Sequence, residues 1–230
     1  MLPKLITIFL AYISIIIFIS GIIIRLAKWY TKSRNIASYT LYPKSGFPSV
    51  ILRITLFPRV FETNRLLWIS GWIFHVSLIL LLFGHLRLFQ EPYWLWNILK
   101  LETYEDVSRF AFISGGITGV LFISPVFMLL ARRMRGTLYK LSTFEDYFIL
   151  LLLALIGLTG NYMRFMLHID VPKLQQFFIG LLYLNPSPHQ PTDPVFLVHM
   201  FLAELLLIYL PFSKLIHSIS ATILTYRFTR

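Results

Sequence analysis

Residues 66–86, LLWISGWIFHVSLILLLFGHL, constrain this chain more than any other stretch. A helix of about 20 apolar residues crosses roughly 30 Å of hydrocarbon. This run is that long and that apolar, yet it carries His75 and His85. Ionisable side chains are costly at membrane depth and mark functional positions by default. A single imidazole would read as a ring filling space in a bundle and hydrogen-bonded to a neighbouring helix. Two ask for two partners, and His199 and His217, near the other end of the chain, sit in the only other stretch that supplies both.

The rest of the chain fits the same setting. Hydrophobic residues make up 57% of its 230 residues and the mean hydropathy is +0.72, well above a soluble domain. Apolar runs at roughly 5–25, 66–86, 110–131, 147–167 and 195–217 predict an all-α integral membrane bundle of five transmembrane helices, since only helices and closed barrels satisfy their backbone groups in lipid. Met1 to Ile24 lacks a small-residue cleavage site and its apolar run is too long for a secretory signal, so it reads as a retained first span. Residues 1–230 read as a single membrane domain. Cysteine is absent from the sequence. That removes iron–sulfur ligation, thioether attachment of haem and disulfides from what the chain can do by itself.

A formal charge of +11 would suggest nucleic acid in a soluble protein, but its distribution points to the membrane. Residues 25–65 hold eight Lys or Arg against the single acid Glu62, while 87–109 carry Glu91, Glu102, Glu105 and Asp106 against three basic residues. Arg132, Arg133, Arg135 and Lys140 mark the next connection. Fifteen of the 21 basic residues fall on one side. The positive-inside rule makes that side cytoplasmic, with the N-terminus outside and the C-terminus inside. The 25–65 segment, with Pro43, Gly46, Pro48 and Pro58 and no clean period, reads as a cytoplasmic docking surface.

Local signals support these boundaries. Ser142 with Glu145 predicts a capping box opening the fourth span, and Asp193 before Pro194 predicts an N-cap opening the fifth. Residues 94–101 and 171–184 are aromatic enough to lie as short interfacial helices, either as anchors or as a roof over a buried site.

With the second span running outward and the fifth inward, depth pairs His85 with His199 near the outer face and His75 with His217 near the inner face. Two bis-histidine sites stacked across a membrane suit two b haems, since a pair of imidazoles leaves no open position and favours electron transfer. The heights do not match. Ten residues separate His75 from His85, about 15 Å, and eighteen separate His199 from His217, about 27 Å. Eighteen residues are five turns, so the second pair shares a face, whereas the first is turned by roughly 80°. A bend at Pro211 is the expected adjustment.

The segments FHVSLILLLFGH (74–85) and HMFLAELLLIYLPFSKLIH (199–217) resemble the haem-ligand helices of the gamma subunit of respiratory nitrate reductase, including both spacings and the PFSKLIH ending. The resemblance covers all five spans in order. It implies a dihaem cytochrome b that oxidises quinol near the outer haem, held by His85 and His199. Electrons would then reach a cytoplasmic partner by way of an inner haem held by His75 and His217. The ITLFPRVFETNRLLWISGW and LTGNYMR segments resemble more closely the branch found in sulfite-reduction-associated and heterodisulfide-reductase-like complexes. The resemblance also implies a quinol-binding lysine ahead of the third span. Val107 stands at that position here, with Arg109 two residues on, so Gly84, His85 and Arg109 are the expected quinol contacts.

Other polar residues have two readings each. Arg164 either pairs with a haem propionate or snorkels to the interface. Gly115 and Gly116 either admit a flat ring or serve helix packing. Glu204, a mid-span carboxylate, belongs to a proton route or faces a partner subunit, and His189 is a loop residue. The resulting expectation is a menaquinol-oxidising subunit in the cell membrane with a cytoplasmic iron–sulfur partner. The competing readings are a hydrogenase- or formate-dehydrogenase-type cytochrome b that reduces quinone, and a haem-free membrane anchor or transporter.

Overall fold

The computed structural model describes residues 2–33, 52, 55–167, 170–186 and 190–216. Among them every regular element is helical. A turn at Leu2–Lys4 and a π-helical stretch Leu5–Leu10 lead into α1 (Ala11–Ser33). Then come α2 (Pro58–Thr63), α3 (Arg65–Leu86), α4 (Tyr93–Ile98), α5 (Tyr104–Arg133), α6 (Gly136–Leu141), α7 (Phe144–Met166), α8 (Val171–Leu182) and α9 (Pro194–Tyr209). Among the described residues 5 helices are long and apolar enough to cross a membrane: Leu5–Trp29, Arg65–Leu86, Tyr104–Arg133, Phe144–Met166 and Pro194–Phe212. The predicted short helices at 94–101 and 171–184 correspond to α4 and α8.

Side-chain caps explain where these helices begin. Asn64 Oδ1 accepts the Leu67 N–H at 2.9 Å to open α3. Thr103 Oγ1 accepts the Asp106 N–H at 3.1 Å to open α5, with Glu105 and Asp106 in its first turn and Arg132 and Arg133 in its last, which suits the helix dipole. That cap extends the third span to Tyr104, ahead of the expected 110. Asp193 Oδ1 accepts the Phe196 N–H at 2.9 Å, and Pro194 opens α9 as expected. The capping box of α7 is Thr143 with Asp146, one residue beyond the expected Ser142 and Glu145. Ser142 is committed elsewhere: its hydroxyl donates to Leu138 O at 2.7 Å, closing α6.

The chain forms two compact units. The first comprises Met1–Leu10 and Ser70–Ala203. At its centre α5 packs against α7, each helix laying side chains over glycines of the other. A Cβ at Gly119 would run into the Asn161 amide, and one at Gly157 would come within 2.7 Å of Ile123 Cγ1. Glycines at Gly115 and Gly119 make the small-residue face that helices in lipid use for this purpose. Phe122 and Val126 are buried beneath this contact, and Phe74 of α3 stacks on Phe122 at 5.4 Å. The far end of α3 is tied to α4 and α8 through Glu91. Its carboxylate accepts from Arg87 Nε at 2.8 Å, Trp96 Nε1 at 3.0 Å and Gln175 Nε2 at 2.9 Å.

The second unit comprises Ala11–Ile69 and Glu204–Arg230. Pro211 has no N–H to continue the α-helical ladder, so α9 stops at Tyr209 and gives way to a 3-10 turn at Leu210–Phe212. Gly21 of α1 makes room for the proline, where a Cβ would lie 2.7 Å from Pro211 Cβ. Arg25 Nη1 donates to Pro211 O at 2.5 Å and Ser213 O at 3.0 Å, satisfying carbonyls that the interrupted ladder leaves without amide partners. The expected interruption at Pro211 thus takes the form of this turn, and the membrane-length stretch among the described residues runs Pro194–Phe212. The five-turn alignment of His199 with His217, which needed a continuous helix, loses its basis. His217 itself, like His189, lies outside the described residues.

Candidate functional site

His85 occupies the last turn of α3 and His199 the second turn of α9, both within the first unit. His85 Nδ1 lies 2.7 Å from Leu81 O. A carbonyl only accepts, so that nitrogen carries the proton and Nε2 carries the lone pair. His199 Nδ1 lies 2.9 Å from the Thr159 hydroxyl, whose own hydrogen goes to Leu155 O at 2.8 Å and Ile156 O at 3.1 Å. The hydroxyl oxygen is thus the acceptor, and His199 adopts the same tautomer as His85. The two imidazole ring centroids lie 6.4 Å apart and the ring planes are nearly parallel, inclined by 11°.

This separation can be tested against the group the sequence calls for. A histidine nitrogen binds a first-row metal at about 2.0 Å and lies about 1.1 Å from its ring centre, so two imidazoles bracketing one iron have centres roughly 6 Å apart. The separation of the ring centres fits that requirement, and each Nδ1–H already has an outer partner of the kind that orients ligating histidines. A glycine precedes His85 in sequence, and another abuts the His199 ring. A Cβ on Gly84 would meet nothing within 4 Å, while one on Gly160 would press to 3.2 Å from His199 Cε1. Among the described residues no trio of His, Asp and Glu converges as a closed metal site.

The other expected residues fall as follows. His75 Nδ1 lies 2.6 Å from Gly71 O, repeating the tautomer of His85 one helical segment earlier, with Phe74 edge-on to its ring at 5.2 Å. Arg164 Nη1 donates to Ala111 O at 3.1 Å, and its guanidinium lies across Gly115, where a Cβ would approach Nη2 to 2.7 Å. Helix packing is thus what Gly115 serves here. Val107 is buried, and Arg109 pairs with Glu105 at 2.6 Å on the exposed first turn of α5. Glu204 is buried, and neither carboxyl oxygen has a hydrogen-bond partner among the described residues.

Sequence reasoning missed two features. Thr159 and Gly160 sit in LTGNYMR, a segment noticed only for its resemblance, and they prove to seat His199. Glu91 was counted as an outer charge, but it is the hub of a clasp that begins two residues after His85. Burial would push its carboxyl up, yet hydrogen bonds from Trp96, Arg87 and Gln175 and the Arg87 charge outweigh that and hold it below its usual 4.5.

Residues 59–230, well over half of the chain and including all four histidines of the proposed pairs, match the nitrate reductase gamma subunit family. The chain belongs to this family. Two relatives of this gamma-subunit family member carry the name "Hdr-like menaquinol oxidoreductase cytochrome b-like subunit". The one from Archaeoglobus fulgidus is 28% identical over 249 aligned residues, which cover 90% of this chain and 74% of the relative. The one from Archaeoglobus profundus is 29% identical over 160 residues, 67% of this chain and 47% of the relative. Both names fall in the heterodisulfide-reductase-like branch expected from the sequence.

Proposed function

We propose that this chain is the membrane cytochrome b subunit of a menaquinol-oxidising respiratory complex in the cell membrane, with its N-terminus outside and its C-terminus in the cytoplasm. The observation that carries this reading is the near-parallel His85 and His199 pair, 6.4 Å between ring centres, with both Nδ1 protons committed to neighbours. The names of the two archaeal relatives support it. His85 and His199 would hold an outer haem b, and His75 and His217 an inner one. Bound in this way, haem supplies one-electron transfer without an open coordination position.

The chain's own residues would do the remaining work. Menaquinol would bind against Gly84 and His85, with Arg109 at the mouth, and give up two electrons inward and two protons outside. Arg164 would turn from Ala111 O to a haem propionate, a bidentate partner that suits a guanidinium. With no cysteine in the sequence, onward transfer would call for a cytoplasmic iron–sulfur subunit, which the basic composition of residues 25–65 suits, a segment whose residues 34–51, 53 and 54 lie outside the described residues.

The test is a dithionite-reduced minus oxidised spectrum of the purified protein, with His85→Ala alongside. The native chain is expected to show b-type bands with two haems per chain, and the variant to lose one haem and keep the other. Absence of b-type bands from the native chain would overturn the reading in favour of a haem-free anchor or transporter. Retention of both haems by His85→Ala would overturn the pairing.

A further inference from the structure

We infer that Thr159 is the positioning residue of the His199 imidazole: its hydroxyl oxygen fixes the ring's tautomer and plane and strengthens Nε2 as a donor. The inference rests on the reading of His199 as a haem ligand and concerns a residue that contributes no ligand itself. Three observations carry it. The Thr159 Oγ1 to His199 Nδ1 distance is 2.9 Å. The single hydroxyl hydrogen is shared between Leu155 O and Ile156 O of the same helix, a rotamer that threonine adopts readily in helices, so the oxygen is pre-set to accept. Gly160, the next residue, meets the edge of the same ring, where a Cβ would stand 3.2 Å from Cε1.

The two histidines therefore differ in how they are held. His85 leans on a carbonyl of its own helix, Leu81 O, which no substitution removes. His199 leans on α7 instead, on the Thr159 hydroxyl forty residues away in sequence and also on the Ile156 carbonyl beside it. An acceptor on the far nitrogen increases imidazole basicity, which favours the ferric over the ferrous state of an attached haem. Losing the hydroxyl, with the Ile156 carbonyl the remaining acceptor, should raise that haem's potential and loosen the ring.

The experiment uses the full chain in its native membrane complex and compares Thr159→Val, which keeps the shape without the hydroxyl, with Thr159→Ser, which keeps the hydroxyl. Readouts are the low-spin ferric EPR lines, redox titration of the two b haems, and haem content. Thr159→Val is expected to shift the outer haem's EPR line, raise its midpoint potential and weaken its retention about 10- to 100-fold, leaving the inner haem unmoved. Thr159→Ser is expected to match the native protein. A native EPR line and potential in Thr159→Val, or a serine variant that behaves like valine, would overturn the inference. His199→Ala, measured in parallel, separates the two levels. If it keeps both haems, the ligand reading itself fails; if it loses one while Thr159→Val stays native, only the role of Thr159 fails. Should Thr159→Val not accumulate, Thr159→Ala gives the same comparison.

Discussion

Gly160 serves the site by what it lacks. Its missing Cβ would stand 3.2 Å from His199 Cε1, close enough that either the ring or α7 must shift to admit a methyl group. Gly160→Ala is therefore expected to release the outer haem preferentially, at a cost of roughly 1–3 kcal/mol if the helix does not yield. Haem content and thermal unfolding of the variant would check this, and full haem content with native stability would count against a tight seat. The same residues show why side-chain detail is hard to foresee. Thr159 reads in sequence as an ordinary helical threonine returning its hydroxyl to its own backbone, which it does. Its second bond goes to a ring on another helix that no local period reveals. The capping box at 142–146 is a milder case. Ser142 with Glu145 and Thr143 with Asp146 both fit the spacing, and only the turn of the Ser142 hydroxyl toward Leu138 O decides between them.

Among elements, hydrophobic run length placed the five spans closely, because lipid penalises every unpaired backbone group and leaves helices little choice. Their ends depended on caps and on Pro211. The clasp joining α3, α4 and α8 yields a pH prediction. The Glu91 carboxyl is held below 4.5 in the folded chain, so the open state takes up a proton more readily than the folded one. The clasp should be at full strength above that value and weaken as pH falls through the lower folded value. Hydrogen exchange of α4 amides should accelerate over that acidic range. Glu91→Gln should weaken the clasp at neutral pH by roughly 1–3 kcal/mol, since Arg87 loses its partner, and remove the acidic step. A second prediction concerns α5 against α7. Gly119→Ala should lower stability by roughly 1–3 kcal/mol through collision with Asn161, and Asn161→Ala in the same chain should recover much of the loss in a thermal unfolding comparison.

At the scale of the whole molecule, the proposed orientation rests on charge asymmetry. With fifteen of its 21 basic residues assigned to one side, a reporter active only in the cytoplasm should work when fused to the C-terminus and fail at the N-terminus. The opposite result would invert the outer and inner assignments of the histidines. The family was legible in two helices, since ligand spacing and flanking residues travel together there. The interruption of α9 was legible from Pro211, whereas the part of Arg25, which reaches from α1 to the carbonyls of Pro211 and Ser213, was not. The seating of His199 on Thr159 and Gly160 has one more consequence. The imidazole carried by α9 takes its bearings from α7, a helix that carries none. A chimera that imports α9 alone from a distant relative would transplant an imidazole without its cradle, whereas one that moves α7 and α9 as a pair should inherit a working socket.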